Sequence, residues 1–289
     1  MRASLDCLVC LLRQSLEASR YATEDVELHE QIAERVLRLI LEYGVHCDAP
    51  RIGTQIHRLV REATQCPDPY RKQKLLYNNR ALERYDASLR AVQNSNDPLE
   101  TAVKLAIAGN SIDYAIADLN EEIIDAALNQ ALDQTLNGSM EELREAINDA
   151  RTILYLTDNA GEIVYDKLLV ATLLAAPYQK EIVVATRGLP VMNDATPEDA
   201  RDVGMTKLVR VIGNGGDGLG TIEEYLSQEF VELFTQSDLV IAKGMANYET
   251  LRDPGTIVPK KIAFLFKAKC KYMAQFSDST LGDLVVRVR

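Results

Sequence analysis

Hydrophobic residues recur at three- and four-residue spacing through the first half of the chain, with charged residues between them. Ile32, Val36 and Ile40 follow this spacing, which places their side chains on one face of a helix. The same pattern predicts helices over residues 5–20, 26–43, 50–64, 70–92, 98–108, 111–135 and 141–150. We therefore expect an all-helical N-terminal domain over residues 1–150; a return of the C-terminus to this domain is left open.

From residue 152 onward the pattern changes to short apolar runs that are rich in β-branched residues. Helical or loop segments separate these runs, an alternation that is typical of a parallel sheet with crossover helices. The runs predict strands over residues 152–157, 181–186, 207–212, 238–243, 261–266 and 283–288. The predicted fold class is therefore α/β, with a Rossmann-like three-layer α/β/α domain and a mostly parallel sheet over residues 151–289, which we expect to be the catalytic, metal-binding domain.

Composition and charge narrow the classes of function. The chain has 289 residues, of which 47% are hydrophobic, and its formal net charge is −11. Such an acidic chain lacks the basic face that general binding to nucleic acid or to anionic membranes requires. No apolar run approaches the length of about 20 residues that a membrane helix needs, and the N-terminus lacks the apolar core of a signal peptide. We expect a cytoplasmic protein, and its oligomeric state is left open.

Oxygen-bearing side chains follow the first two predicted strands at the point where each strand ends. Asp158, Asn159 and Glu162 follow strand 152–157, and Asp194 lies in the loop after strand 181–186. The carboxyl ends of parallel strands meet at one edge of the sheet, where ligands bind. An isolated Asp158 could be only a helix N-cap, which stabilises by roughly 1 kcal/mol. The adjacent Asn159 and the second polar cluster favour a site for a hard divalent cation instead.

Lysines end two later strands at the same predicted edge. Lys243 ends strand 238–243 and is followed by Gly244, while Lys267 follows strand 261–266. Lys243 could instead be only a solvent-exposed lysine without a function, but a lysine that ends an apolar strand is poorly placed to be exposed to solvent. Positive side chains beside acidic metal ligands suit a phosphorylated substrate that is bridged to the cation. The edge as a whole therefore predicts a metal-dependent enzyme.

A glycine-rich loop and a turn between helices give weaker signals. Residues 213–218 satisfy the dinucleotide pattern G-x-G-x-x-G, but they follow the third strand, and Asp217 would point a negative charge at a pyrophosphate. A tight loop that shapes the pocket is the better interpretation. Asn110 and Asp113 follow a Gly-Asn step between two predicted helices. They could reach the metal edge, although a plain helical turn explains them almost as well.

Cys7 and Cys10 form a CxxC motif in the first predicted helix. A zinc or redox site is one interpretation, and buried, inert thiols are another of about equal weight. Candidate partners for such a site are His46, Cys47, His57 and Cys66. Because the five cysteines are an odd and scattered set, we expect no disulfide framework.

The motifs, taken together and in this order, resemble those of the damage-control phosphatases, a family long catalogued only as a domain of unknown function. The resemblance spans nearly the whole chain, and the N-terminal CxxC is similar to that of the microbial branch. The segments that carry it are Leu5–Cys10, Asp68–Tyr70 with Lys74, Gly109–Asp113, Asp158–Glu162, Pro190–Thr196, Lys243–Tyr248 and Lys267–Cys270.

The resemblance implies a helical domain with an α/β/α domain, and divalent-metal-dependent removal of phosphate from small phosphorylated metabolites such as sugar phosphates or phosphorylated cofactors. It implies Asp158, Asn159 and Asp194 as ligands of one Mg²⁺, Mn²⁺, Co²⁺ or Ni²⁺ ion. The substrate-binding residues that it implies, with Glu162 added from its place in the loop, are Asn110, Asp113, Glu162, Asn247 and Lys267. Cys270 follows an Ala-Lys pair where the sugar-phosphate members end in Ala-Asp, so their substrate preference is not carried over.

The expected catalytic residues are Asp158, Asp194 and Lys243. Asp158 or Asp194 attacks phosphorus directly or activates a water, and the sequence leaves both routes open. The D-x-D motif that haloacid-dehalogenase enzymes carry after the first strand is absent. Two other classes of function are alternatives: an S-adenosylmethionine-dependent carboxyl methyltransferase, an activity also proposed within the family, and a non-catalytic metal or nucleotide sensor.

Overall fold

The computed structural model describes residues 2–109, 121–175 and 177–289. Eight helices lie before the first strand in these residues: α1 (Leu5–Ala22), α2 (Val26–Tyr43), α3 (Ala49–Thr64), α4 (Arg71–Leu82), α5 (Tyr85–Asn94), α6 (Pro98–Ala108), α7 (Glu121–Asp133) and α8 (Met140–Asp149). Strands and helices then alternate: β1 (Thr152–Leu156), α9 (Glu162–Leu174), β2 (Glu181–Thr186), α10 (Pro197–Asp202), β3 (Arg210–Gly213), α11 (Gln228–Gln236), β4 (Leu239–Lys243), α12 (Gly244–Leu251), β5 (Ile262–Lys267), α13 (Lys271–Phe276) and β6 (Leu284–Val288).

One predicted helix is two helices in the structure. The helix predicted over residues 70–92 ends at Leu82 and restarts at Tyr85. Glu83 and Arg84, which join the two segments, keep right-handed helical backbone angles. The apolar spacing therefore continues across the break, and a periodicity argument has no means to detect it.

The six strands form one sheet in the order β3-β2-β1-β4-β5-β6. Strands β1 to β5 pair in parallel, and β6 is antiparallel to β5 at the edge. The predicted α/β class with a mostly parallel sheet is thus confirmed. In this strand order the chain reverses direction across the sheet between β1 and β4, and ligands bind in the crevice beyond the carboxyl ends of the strands at such a point.

Buried side chains form three clusters around the sheet. The largest joins one sheet face to helices α4 to α10, and the second joins the opposite face to α11, α12 and α13. Helices α1, α2 and α3 pack around a third core of their own. The largest core crosses residue 150, with Ile147 on one side and Ile153 on the other. The division into two domains at residue 150 stays a prediction.

Ion pairs attach α3 and α4 to loops at the carboxyl edge of the sheet. Arg51 and Arg58 of α3 pair with Glu224 at 2.6 Å and Asp217 at 2.5 Å. Lys74 of α4 is buried and lies 3.0 Å from Asp199 of α10. The N-terminal helices consequently lie across the sheet edge at which the sequence places the site. Among the described helices, none is long and apolar enough to cross a membrane.

His57 on α3 is a buried histidine that should make the protein sensitive to acid. Burial and the nearby charge of Arg61 lower the pKa of His57 from 6.5 to about 3. Because this pKa is lower in the folded than in the unfolded chain, the unfolded state takes up a proton first as the pH falls. Stability is therefore present above pH 6.5 and is lost between pH 6.5 and 3. Between pH 7.5 and 5 we expect this histidine to lower the free energy of unfolding by about 2 kcal/mol.

Urea unfolding at pH 7.5 and at pH 5 measures this effect. His57→Gln should remove about 2 kcal/mol of the pH dependence that the wild type shows. His46 is exposed, so His46→Gln is the matched control and should keep the wild-type dependence. An equal loss on acidification in the wild type and in His57→Gln would contradict the prediction.

Candidate active site

The three predicted metal ligands come together beyond the carboxyl ends of β1 and β2. The loop after β1 folds against the loop after β2, so that Asn159 and Asp194 face each other in an antiparallel bridge. The backbone N–H of Ala195 donates to the carbonyl oxygen of Asp158 at 2.8 Å. The side chains of Asp158 and Asp194 are buried, with 6% and 3% of each residue exposed. Two buried carboxylates and one half-buried carboxamide thus lie together next to the point where the strand order reverses.

The electrostatics of this space fit a divalent cation. Burial raises the pKa of Asp194 to about 7, Arg187 opposes that rise, and the charge of Asp158 adds to it. Positive charge nearby would stabilise the ionised forms of these two buried carboxylates. Carboxylate oxygens are also the ligands that hard cations prefer. In the described part of the chain no three His, Cys, Asp or Glu side chains are grouped to hold a metal ion. Asn159 stays the predicted third protein ligand of a cation at this place.

The amide of Asn159 has a fixed orientation. Its Nδ2 donates to Asp158 Oδ2 at 2.8 Å and to Glu162 Oε2 at 3.3 Å. Glu162 is buried, and its other oxygen, Oε1, accepts from Lys243 at 2.6 Å. Burial raises the pKa of Glu162 to about 8, with Lys243 opposing the rise. Both oxygens of Glu162 thus have partners in the chain, and one of them supports Asn159. The predicted contact of Glu162 with substrate stays a prediction.

Lys243 points away from the predicted cation site. Its Nζ is fully buried and lies 2.6 Å from Glu162 Oε1, 2.6 Å from Asp166 Oδ1 and 2.8 Å from the backbone oxygen of Ala106. Burial alone would lower the pKa of Lys243, but Asp166 and Glu162 outweigh it and hold the pKa above its usual value. Each of the three ammonium hydrogens therefore has an acceptor within the chain. The catalytic role of Lys243 stays a prediction.

Asn247 is likewise occupied by the chain itself. Its Nδ2 donates to the backbone oxygens of Lys243 at 2.8 Å and of Thr157 at 3.3 Å. Its Oδ1 accepts from Thr221 at 2.9 Å and from Arg187 at 3.3 Å. This fully buried amide with four partners links the end of β4 to the residue after β1. The predicted contact of Asn247 with substrate stays a prediction.

Of the other predicted substrate residues, Lys267 is among the described residues, and Asn110 and Asp113 are not. Lys267 is half-buried at the end of β5, and its side chain makes no hydrogen bond or ion pair with any described residue. Burial, and then the charge of Lys269, lower the pKa of Lys267. Lys267 therefore keeps its predicted role. Asn110 and Asp113 lie outside the described residues, and their roles stay predictions.

Two residues of the site were not singled out from the sequence. Gly244 adopts a left-handed backbone with a φ of +80°, and a Cβ atom there would lie 2.0 Å from Asp158 Oδ2. Only glycine allows the start of α12 to approach this carboxylate so closely. Arg187, directly after β2, is 3% exposed, and its Nε donates to Asp194 Oδ2 at 2.6 Å. The available signals were a glycine and an arginine placed immediately after strands that end at the site.

The glycine-rich loop after β3 packs against the protein itself. A Cβ atom on Gly215 would lie 2.4 Å from the backbone nitrogen of Ser227. Burial would raise the pKa of Asp217 in this loop, but hydrogen bonds and charge from Arg58 and Arg61 hold it below its usual value. The loop is therefore a tight turn that anchors α3, in agreement with the preferred interpretation, and offers a pyrophosphate no open cradle at Gly215.

The cysteines form neither a disulfide nor a metal site in the described residues. All five are free thiols. Cys7 and Cys10 are half-buried on α1, and His57, one of their candidate partners, is buried in α3. No group of three potential ligands was found among these side chains. The expectation of no disulfide framework is thus met, and the zinc interpretation gains no support.

Comparison with known proteins places the whole chain in one family. A family model described as the damage-control phosphatase ARMT1-like domain matches residues 3–285. A damage-control phosphatase of Archaeoglobus fulgidus is 33% identical over 100% of this chain and 99% of its own length. One of Pyrococcus horikoshii is 31% identical over 99% of this chain and 97% of its own. The crystal structure of a DUF89 family protein from Pyrococcus horikoshii superposes with a TM-score of 0.89 at 31% identity, covering 99% of this chain and 98% of that one.

Proposed function

This chain belongs to the ARMT1-like damage-control phosphatase family, and from that premise we propose that it is a divalent-metal-dependent phosphatase that hydrolyses small phosphorylated metabolites in metabolite repair. The observation that carries the proposal is the pair of buried carboxylates, Asp158 and Asp194, with the half-buried Asn159 beside them and the guanidinium of Arg187 against both carboxylates. A phosphate that is bridged to a metal ion requires acidic oxygens to hold the metal and a fixed positive side chain beside them, and this edge of the sheet has both.

Each residue of the site has a distinct part in this chemistry. Asp158, Asn159 and Asp194 would hold the cation, which when bound would take a phosphate oxygen as ligand and offset the charge that develops as the P–O bond breaks. The Arg187 side chain lies against Asp194 at 2.6 Å and keeps positive charge beside the acids. Lys267, on β5, supplies a further ammonium group that is unpaired among the described residues. Positive groups fixed before the reaction contribute most of the catalysis in such sites.

The position of the helices limits the size of the substrate. The buried acids lie under α3 and α4, whose side chains pair with the loops after β2 and β3. Asn78 of α4 reaches into the site loop, where its Oδ1 accepts from the N–H of Gly161 at 2.7 Å. A covered site of this kind admits a small metabolite more readily than a phosphorylated protein segment. Sugar phosphates and phosphorylated cofactors are therefore the first substrates to test.

Hydrolysis of p-nitrophenyl phosphate by chelator-treated protein tests the proposal. We expect no release of p-nitrophenol without added metal, and release when Mg²⁺, Mn²⁺, Co²⁺ or Ni²⁺ is supplied in turn. Adding the chelator back in excess should stop the reaction. Absence of release with every ion would contradict a phosphatase and would favour the methyltransferase or the non-catalytic metal sensor.

A further inference from the structure

Arg187 carries one donor group that has no acceptor among the residues that the structure describes. The residue is 3% exposed, and its Nη2 is enclosed yet makes no hydrogen bond within the described part of the chain. A buried donor without an acceptor costs free energy comparable to a lost hydrogen bond, and more when the group is charged. Such a donor at a site edge is therefore a sign that something else occupies the space it faces.

The rest of the guanidinium is held in place. Its Nε donates to Asp194 Oδ2 at 2.6 Å, and its Nη1 donates to Asn247 Oδ1 at 3.3 Å. Asn247 is itself fixed by the backbone oxygens of Lys243 and Thr157. Because the guanidinium is planar, these two contacts determine where Nη2 lies.

Nη2 lies on the side of Asp158 without bonding to it. The distance from Nη2 to Asp158 Oδ1 is 3.7 Å, which is an ion pair but too long for a hydrogen bond. If Arg187 served only as a counter-ion for Asp194, Nε alone would suffice. The guanidinium instead contacts Asp194 through Nε and directs Nη2 toward Asp158. Nη2 is thus placed to donate to an anionic oxygen that a cation bound to these two acids would hold.

We propose that Arg187 is a catalytic residue whose Nη2 donates to an oxygen of the phosphoryl group being transferred. This rests on the proposed phosphatase function and adds a residue to it. A guanidinium matches phosphate oxygens in geometry and stays charged throughout, so it stabilises the charge that gathers on them. Its Nε meanwhile keeps Asp194 in position for the cation.

Arg187→Lys is the variant that tests this role. It keeps a positive charge beside Asp194 but has no group at the place of Nη2. We expect it to bind Mn²⁺ within about threefold of the wild type, and to bind inorganic phosphate at least about tenfold more weakly once loaded with Mn²⁺. Its kcat with p-nitrophenyl phosphate should fall by about 10²-fold. Arg210, exposed and paired with Glu229, gives the matched control Arg210→Lys, which should match the wild type in all three measurements.

Isothermal titration with Mn²⁺, and then with phosphate, separates the outcomes. Phosphate binding by Arg187→Lys equal to that of the wild type would overturn the proposal. So would a loss of Mn²⁺ affinity with activity restored by excess Mn²⁺, because Arg187 would then act only through Asp194. If the wild type binds phosphate but hydrolyses nothing, and the variant loses that binding, the phosphatase function fails while the contact of Arg187 with phosphate stands.

Discussion

Asp158→Asn should lower metal-dependent hydrolysis of p-nitrophenyl phosphate by about 10³-fold or more, since a bound cation contributes several kcal/mol and each tenfold in rate corresponds to about 1.4 kcal/mol. The variant keeps the shape of the side chain and removes one of the two carboxylate charges that would hold the cation with Asn159. It also removes a buried negative charge beside Asp194, whose pKa is already raised by burial. The metal-free variant should therefore melt at the wild-type temperature or above it.

The control is another aspartate-to-asparagine change far from the site. Asp149 is exposed at the end of α8, 3.5 Å from Lys261, and Asp149→Asn should leave turnover unchanged. Saturating Mn²⁺ should raise the melting temperature of the wild type and of this control, because a ligand that binds only the folded state stabilises it, but not that of Asp158→Asn. Wild-type turnover in Asp158→Asn would place the metal centre elsewhere.

Lys243→Met should lower the free energy of unfolding by about 3–5 kcal/mol, the usual cost of removing one partner from a buried ion pair. In the wild type, Glu162 and Asp166 each lie 2.6 Å from the ammonium group of Lys243. The substitution leaves both carboxylates buried without that positive charge. Lys243 and Tyr155 both contact Oδ1 of Asp166, so in the variant this oxygen keeps only the hydrogen bond from the Tyr155 hydroxyl, at 2.7 Å. A lysine that contacted only the substrate would change KM and leave stability unaltered.

Two further variants separate charge from packing. Neutralising the carboxylates in Lys243→Met with Glu162→Gln and Asp166→Asn should recover most of the lost stability, because neither side chain then needs a counter-ion. Lys260 forms an exposed pair with Asp238, and Lys260→Met should cost less than about 1 kcal/mol. Urea unfolding at pH 7.5 measures all of them. A single Lys243→Met variant as stable as the wild type would contradict the buried network.

The strand-end argument predicted that the acidic side chains meet at one edge of the sheet, as they do, but it did not predict that the ammonium group of Lys243 is buried. The alternation of side chains along a strand explains that burial. Leu239 and Ile241 pack into the core under α6 and α9, and alternation puts Lys243 on the same face of β4. Its backbone therefore lies at the site edge while its ammonium group lies beneath it. Applying the two-residue period to the last residue of the strand would have predicted this burial.

Other features depend on contacts between distant segments, which local patterns do not encode. Arg187 turns toward the acids because the loop after β2 folds back, with the N–H of Arg187 donating to the backbone oxygen of Ala195 at 3.0 Å. The antiparallel direction of β6 is a property of its connection to β5, and the apolar run that predicted the strand carries no sign of it. The fold class and the meeting of the three predicted metal ligands at one edge, by contrast, follow from runs and strand ends that are local.

Counting the Mn²⁺ ions bound per chain by electron paramagnetic resonance tests the metal centre most directly. The signal of free Mn²⁺ is recorded as metal-free protein is added, so binding is measured without substrate or turnover. We predict one tightly bound ion in the wild type and in Asp149→Asn, and none in the double variant Asp158→Asn with Asp194→Asn. Undiminished binding in the double variant would show that these carboxylates do not hold the ion, and would contradict a phosphatase site at this edge of the sheet.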